Sequence, residues 1–85
     1  MSRILQDAID VIEERGESYG HPRDNLKRIA EMWSTYLGIE VGMHDVGMMM
    51  ILLKVARTVP TPAHRDSLVD IVGYVGAIEQ ALDLD

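Results

Sequence analysis

The chain contains no cysteine. That excludes disulfides and thiolate metal sites, and nothing points to secretion. Basic residues are scarce, eight against fourteen acidic ones, leaving a net charge of −6. Duplex DNA or RNA binding relies on a basic face, so no such partner is expected. The one basic cluster, Arg23, Lys27 and Arg28, lies among Asp24 and Glu31, which weakens any counterion-release term. No apolar run approaches the ~20 residues needed to cross a bilayer, and the N-terminus lacks a signal-peptide core. A soluble cytoplasmic protein with no membrane partner is expected.

What is present is compact in scope. The 85 residues make one small domain, 1–85, with no linker, no internal repeat and no low-complexity segment. A chain of this size buries a limited core and is marginally stable alone. Phenylalanine is missing, yet the chain is 47% hydrophobic and carries six methionines, which suit irregular and adaptable contacts. One small core cannot bury all of this, so a homo-oligomer, dimer or higher, is expected.

Apolar spacing is helical throughout, and no stretch alternates with period two. Ser2 can cap a first helix over residues 3–15, with Leu5, Ala8, Ile9 and Ile12 as its inner stripe and Gly16 at its C-terminus. A polar loop, Gly16 to His21, follows. Pro22 suits the first position of a second helix, 22–37, with Asp24 in the dipole-favoured first turn. Its stripe is Leu26, Ile29, Ala30, Trp33 and Leu37, stopped at Gly38. A third helix covers 44–58. Its Met48–Leu53 run is apolar on every side, which marks a helix surrounded by neighbours or lying in an oligomer interface. Thr61 and Pro62 have the chemistry to start a fourth helix, 62–82, that buries Leu68, Ile71, Val72, Val75 and Ile78. Gly73 and Gly76 cost helix stability and so point to close approach by another helix or a ligand. The fold expected is all-α, an antiparallel four-helix unit.

Two charged pairs interrupt these apolar faces. Lys54 and Arg57 close the third helix, Asp66 and Asp70 open the fourth, and each pair shares one helix face. Lys54 and Arg57 could bind phosphate, and Asp66 and Asp70 could hold Mg²⁺. The competing reading is a helix–helix salt-bridge network with no ligand, since buried charges are normally paired. Tyr19 offers a stacking face beside Gly20, which permits positive φ; equally, Tyr19 could cap the core while Gly20 turns the chain. Asn25 could read a base edge or bond the preceding loop. His21, His44 and His64 all stand at predicted helix starts, without metal-ligand spacing, and fit cap or turn roles. Ser67 has no sequence-adjacent base, so nucleophilic catalysis has no support.

The order Tyr19-Gly20-His21-Pro22, Asn25, then Leu53-Lys54-Val55-Ala56-Arg57, then Asp66 to Tyr74 resembles a family of small proteins of unknown function encoded by phages and prophages. More remotely, the chain is similar to the all-α nucleoside triphosphate pyrophosphohydrolases of the MazG-like group. In that group a four-helix unit carries Glu-x-x-Glu and, later, Glu-x-x-Asp, whose carboxylates bind Mg²⁺ for water attack on a nucleotide. The stretch Glu14-Arg15-Gly16 through Asn25-Leu26 looks like the group's entry loop and first substrate helix. Asp66 to Tyr74 looks like its second acidic motif, with Asp70 at the motif's aspartate. The pattern departs at Ser67, which stands at that motif's glutamate. It departs again at Lys54-Val55-Ala56-Arg57, basic where acids belong, and helix two offers only Glu31.

The resemblance implies a nucleotide-handling protein of the host cell cytoplasm, if phage-encoded. Three functions follow in order. The first is Mg²⁺-dependent pyrophosphohydrolysis, with Asp66 and Asp70 on the metal, Lys54 and Arg57 on phosphates, and Tyr19, His21 and Asn25 at the nucleotide. The second is non-catalytic binding or sequestration of a nucleotide or nucleotide signal. The third is an oligomeric adaptor that binds another protein through its methionine-rich surface.

Overall fold

Helix ends in this chain are set by glycines and histidines more than by prolines. The structure, a computed structural model, describes residues 3–84. It contains α1 (Arg3–Tyr19), α2 (Pro22–Leu37), α3 (Met43–Arg57) and α4 (Arg65–Leu82) in one compact all-helical unit. Ser2, the expected cap of α1, lies outside the described residues.

The first helix does not stop at Gly16. It runs on to Tyr19, and Gly20, at φ +83°, ends it by donating its N–H to the Gly16 carbonyl at 2.9 Å. Both glycines can end a helix; Gly20 is the one in the left-handed conformation that the terminating turn needs. The expected six-residue polar loop therefore shrinks to Gly20 and His21. The second helix has the predicted bounds. His21 caps it, Nδ1 accepting the Arg23 N–H at 3.0 Å, with Pro22 at the first position and Gly38 left-handed at the end. Ser34 Oγ accepts the Val41 N–H at 2.8 Å and donates to the Val41 carbonyl at 3.2 Å, which ties down the following loop. At the start of α3 the Asp45 carboxylate accepts the Gly42 N–H at 2.9 Å. Lys54 and Arg57 fall in the last turn, where the helix dipole favours cations.

Thr61 and Pro62 do not begin α4. They lie in a turn segment, and His64 is the cap, its Nδ1 accepting the Ser67 N–H. Ser67 Oγ lies 2.7 Å from the same nitrogen, and among the described residues Ser67 is the one buried polar side chain. His44, in the first turn of α3, is exposed. His21 and His64 thus hold cap positions, whereas His44 is a helical residue of α3, one past its start.

α4 is the hub. It packs on α3 most extensively, then on α1 and α2, whereas α1 and α3 share no interface among the described residues. This explains which stripes are buried. A core of Leu26, Ala30, Val41, Val46 and Ala81 is covered by Ile29, Trp33, Met43 and Met50. With one principal neighbour, α1 buries Ala8 but leaves Leu5 and Ile9 about half exposed, contrary to the expected stripe. On α4, Val69 is buried, whereas Leu68 and Val75, the latter 56% exposed, face outward. Gly47 and Gly76 are the close approaches. A Cβ on the first would overlap Ile78 of α4, and a Cβ on the second would overlap the tip of Ile12 of α1. No helix among the described residues is long and apolar enough to cross a membrane.

Candidate functional site

The extension of α1 to Tyr19 places Arg15 and Tyr19 one turn apart on the same face. That face looks onto α4, which presents Asp70, Gly73 and Tyr74. Between them, and closed by Asn25, Leu26 and Ile29 of α2 and Met50 of α3, lies a cleft of about 340 Å³. Its walls are mainly aliphatic, and its polar side chains are Arg15, Asn25 and the two tyrosines. This combination of apolar walls with a few polar groups, at this volume, is typical of small-molecule sites. Gly73 is buried, yet a Cβ built on it would meet no atom within 4 Å, because the space beside it is the cleft.

A second, more polar hollow of about 370 Å³ adjoins the first and includes Glu14, Ser18, Asp66 and Asp70. Arg15 and Tyr19 line both, so they stand at the boundary between apolar cleft and charged mouth.

The charged faces predicted to meet do meet, at one point. Lys54 Nζ lies 3.0 Å from Asp70 Oδ2, and Arg15 Nη2 lies 3.3 Å from Asp70 Oδ1. Lys54 is the more enclosed cation, 12% exposed against 38% for Arg15, and the Asp70 side chain is 18% exposed. The Arg15 guanidinium also sits 5.1 Å from the centroid of the Tyr74 ring, within cation–π range. This ion-pair triad is the salt-bridge network that the spacing allowed for, with Arg15 as a member the spacing did not supply.

The other candidate residues scatter. Tyr19 and Asn25 line the cleft; His21 is occupied in capping α2 and does not. Arg57 is exposed and lines neither hollow, and Asp66 is exposed at the mouth. Among the described residues no ion pair joins Arg57 to Asp66. For Mg²⁺ the donor set fits poorly. Both Asp70 oxygens already face cations of the protein, and no group of three or more His, Asp or Glu among the described residues converges as metal ligands. The His64–Ser67 contact resembles a base–nucleophile pair, but Ser67 is 1% exposed and the histidine nitrogen is spent on the helix cap.

Arg15 and Tyr74 belong to the site without being singled out by residue spacing, and Gly73, expected at a close approach by a helix or a ligand, opens onto the cleft. The signal for Arg15 was its i,i+4 relation to Tyr19, hidden by ending the first helix at Gly16. Tyr74 stands one turn after Asp70 in the same way.

Comparison with known proteins places the chain among phage proteins. It is 47% identical over 78 residues to the Gene 55 protein of Mycobacterium phage D29, covering 91% of this chain and 52% of that protein. It is 43% identical over 79 residues to the Gene 55 protein of Mycobacterium phage L5, covering 91% and 51%. The chain thus spans about half the length of the curated relatives it matches. No solved structure matches it. Residues 3–82, covering all four helices, match the family model described as "Domain of unknown function (DUF6378)", and the chain belongs to that family.

Proposed function

We propose that the cleft between α1, α2 and α4 binds a nucleotide or nucleotide-derived small molecule without turning it over. The observation that carries this reading is the boundary position of Arg15 and Tyr19, each lining both an apolar cleft and a charged mouth. A nucleotide has the same division, a flat ring at one end and an anion at the other. Tyr19 and Tyr74 supply aromatic faces for a ring, and Asn25 supplies both donor and acceptor for its edge. The motif-level likeness to all-α nucleotide pyrophosphohydrolases points to the same ligand class.

Hydrolysis is the weaker reading for a chemical reason. Two-metal displacement needs several carboxylates around ions ~4 Å apart. Here the best-placed carboxylate, Asp70, is held by Lys54 and Arg15. Lys54 is a support for Asp70 in this reading, and Arg57 has no place in the cleft. A homo-oligomer is also proposed, because α3 leaves Met48, Met49, Leu52, Leu53 and Val55 exposed in adjacent positions along one side. The setting of all this would be the host cell cytoplasm, and the proposal concerns this domain, whatever the rest of its longer relatives does.

The test is calorimetry with a panel of nucleosides and nucleotides, with and without Mg²⁺, followed by NMR for released pyrophosphate. Metal-independent binding without product is expected, abolished in Gly73→Leu, which fills the cleft, and weakened in Tyr19→Ala. Silence across the panel would end the nucleotide reading. Mg²⁺-dependent pyrophosphate release would restore the hydrolase.

A further inference from the structure

Asp70 holds two cations, and they are not equivalent. Lys54 is closer and more enclosed, and it lines neither hollow; Arg15 is farther, more exposed, and lines both. Removing Lys54 would leave the carboxylate on its weaker partner. Removing Arg15 would leave it on its stronger one, still paired. A partly exposed ion pair at 3.3 Å adds little stability, so Arg15 can be exchanged at low cost. A guanidinium gains most from an anion that accepts two parallel N–H bonds, and phosphate is such an anion. Contact with the Tyr74 ring holds the guanidinium at the cleft boundary, which limits what is lost on ordering it.

Resting on the nucleotide reading above, we infer that Arg15 is the anion-binding residue of the cleft. It leaves Asp70 to take the single phosphate of a nucleoside monophosphate, and no divalent cation takes part. The charge at the mouth sets the phosphate number. Glu14, Asp66 and Asp70 line it, and among the described lining residues of the two hollows Arg15 is the one cation. The released guanidinium offsets part of the charge of one phosphate monoester, about −1.5 to −2. A longer polyphosphate would bring more negative charge against three carboxylates with no second cation in the lining to receive it. A free nucleoside would leave Arg15 on Asp70 and gain only the ring contacts.

The experiment uses the full chain in EDTA, titrated calorimetrically with the four 2′-deoxynucleoside 5′-monophosphates, their nucleosides and their 5′-triphosphates. At least one monophosphate is expected to bind on the order of tenfold more tightly than its nucleoside and its triphosphate. Arg15→Gln should remove the difference in affinity between that monophosphate and its nucleoside. Arg15→Lys, which keeps a charge for Asp70 but loses the planar fork, should retain only part of the difference. The Arg15 Nε–H NMR signal should shift on adding the monophosphate and stay still with the nucleoside. A phosphate advantage that survives Arg15→Gln, or a triphosphate preferred over the monophosphate, would overturn the inference. Nucleosides that bind with no gain from phosphate would overturn it too, while leaving the cleft as a ring-binding site. Absence of all binding would take the nucleotide reading with it.

Discussion

A methyl group on Gly73 would meet no atom within 4 Å, although the residue is buried in the middle of α4. Alanine there should relieve the entropic penalty of a mid-helix glycine, raising stability by up to about 1 kcal/mol. In a chain of this size that corresponds to a rise of roughly 4–8 °C in thermal midpoint. The same methyl enters the cleft, so calorimetry on Gly73→Ala should show weaker ligand binding beside the higher midpoint. A glycine kept against helix propensity for packing alone would show no such opposition. Lys54 gives the complementary case. Lys54→Met should destabilise by about 1–3 kcal/mol in urea denaturation, because a largely enclosed carboxylate then keeps only the more exposed Arg15. Residue spacing alone identified Gly73 with Gly76, and Lys54 with Asp70, as unusual. It did not separate the two glycines, because only the third dimension puts Ile12 over Gly76 and open space over Gly73.

Element boundaries decided how much of the site was legible. The limits of α2 follow from Pro22 and Gly38, both unambiguous signals, and the structure agrees with them. At the end of α1 two glycines compete four residues apart, and a stop at Gly16 puts Tyr19 in a loop and hides its alignment with Arg15. At the start of α4, Thr61-Pro62 and His64 compete in the same way. There tertiary contacts favour the later start: Ser67, whose Oγ lies 2.7 Å from His64 Nδ1, is buried, and Arg65 pairs with Asp7 of α1 at 2.6 Å. His64→Ala should therefore cost about 1 kcal/mol, as loss of a helix cap does, while His64→Asn should recover most of it. Chemical denaturation of both variants checks this; equal loss in the two would show that the ring matters for packing and not for the cap. Between α3 and α4 the corresponding weak point is Gly47. Gly47→Ala should cost about 1–3 kcal/mol by overpacking, since its Cβ would press on the body of the buried Ile78 and not only on a flexible tip.

At the scale of the whole molecule, the arrangement around α4 leaves apolar surface that four helices cannot cover. Among the described residues the bulkiest wholly buried side chains are Val46 and Ser67, a modest interior for a chain that is 47% hydrophobic. The all-round apolar run in α3 was legible in sequence as a helix either enclosed or at an interface. The structure divides it: Met50 turns inward, as Val46 and Gly47 do one turn earlier, while Met48, Met49, Leu52 and Leu53 remain outside, Leu52 being 64% exposed. Why both signals coincide in one helix is a matter of geometry, since among the described residues α3 has α4 as its main neighbour, approaches α2 less, and has no close backbone approach to α1. If a second copy covers this side, sedimentation of the wild-type protein should show a dimer or larger species that dissociates on dilution. Leu52→Glu would then place a charge in the contact and shift the equilibrium to monomer, with α-helical circular dichroism retained because the site of change is outside the core. Arg15 and Gly73 stand on the opposing α1–α4 surfaces that form the cleft, so ligand affinity in that monomer should match the parent. A monomer at every concentration in the wild type would reject self-association through α3, and a monomeric variant that loses its ligand would mean that the partner copy shapes the cleft.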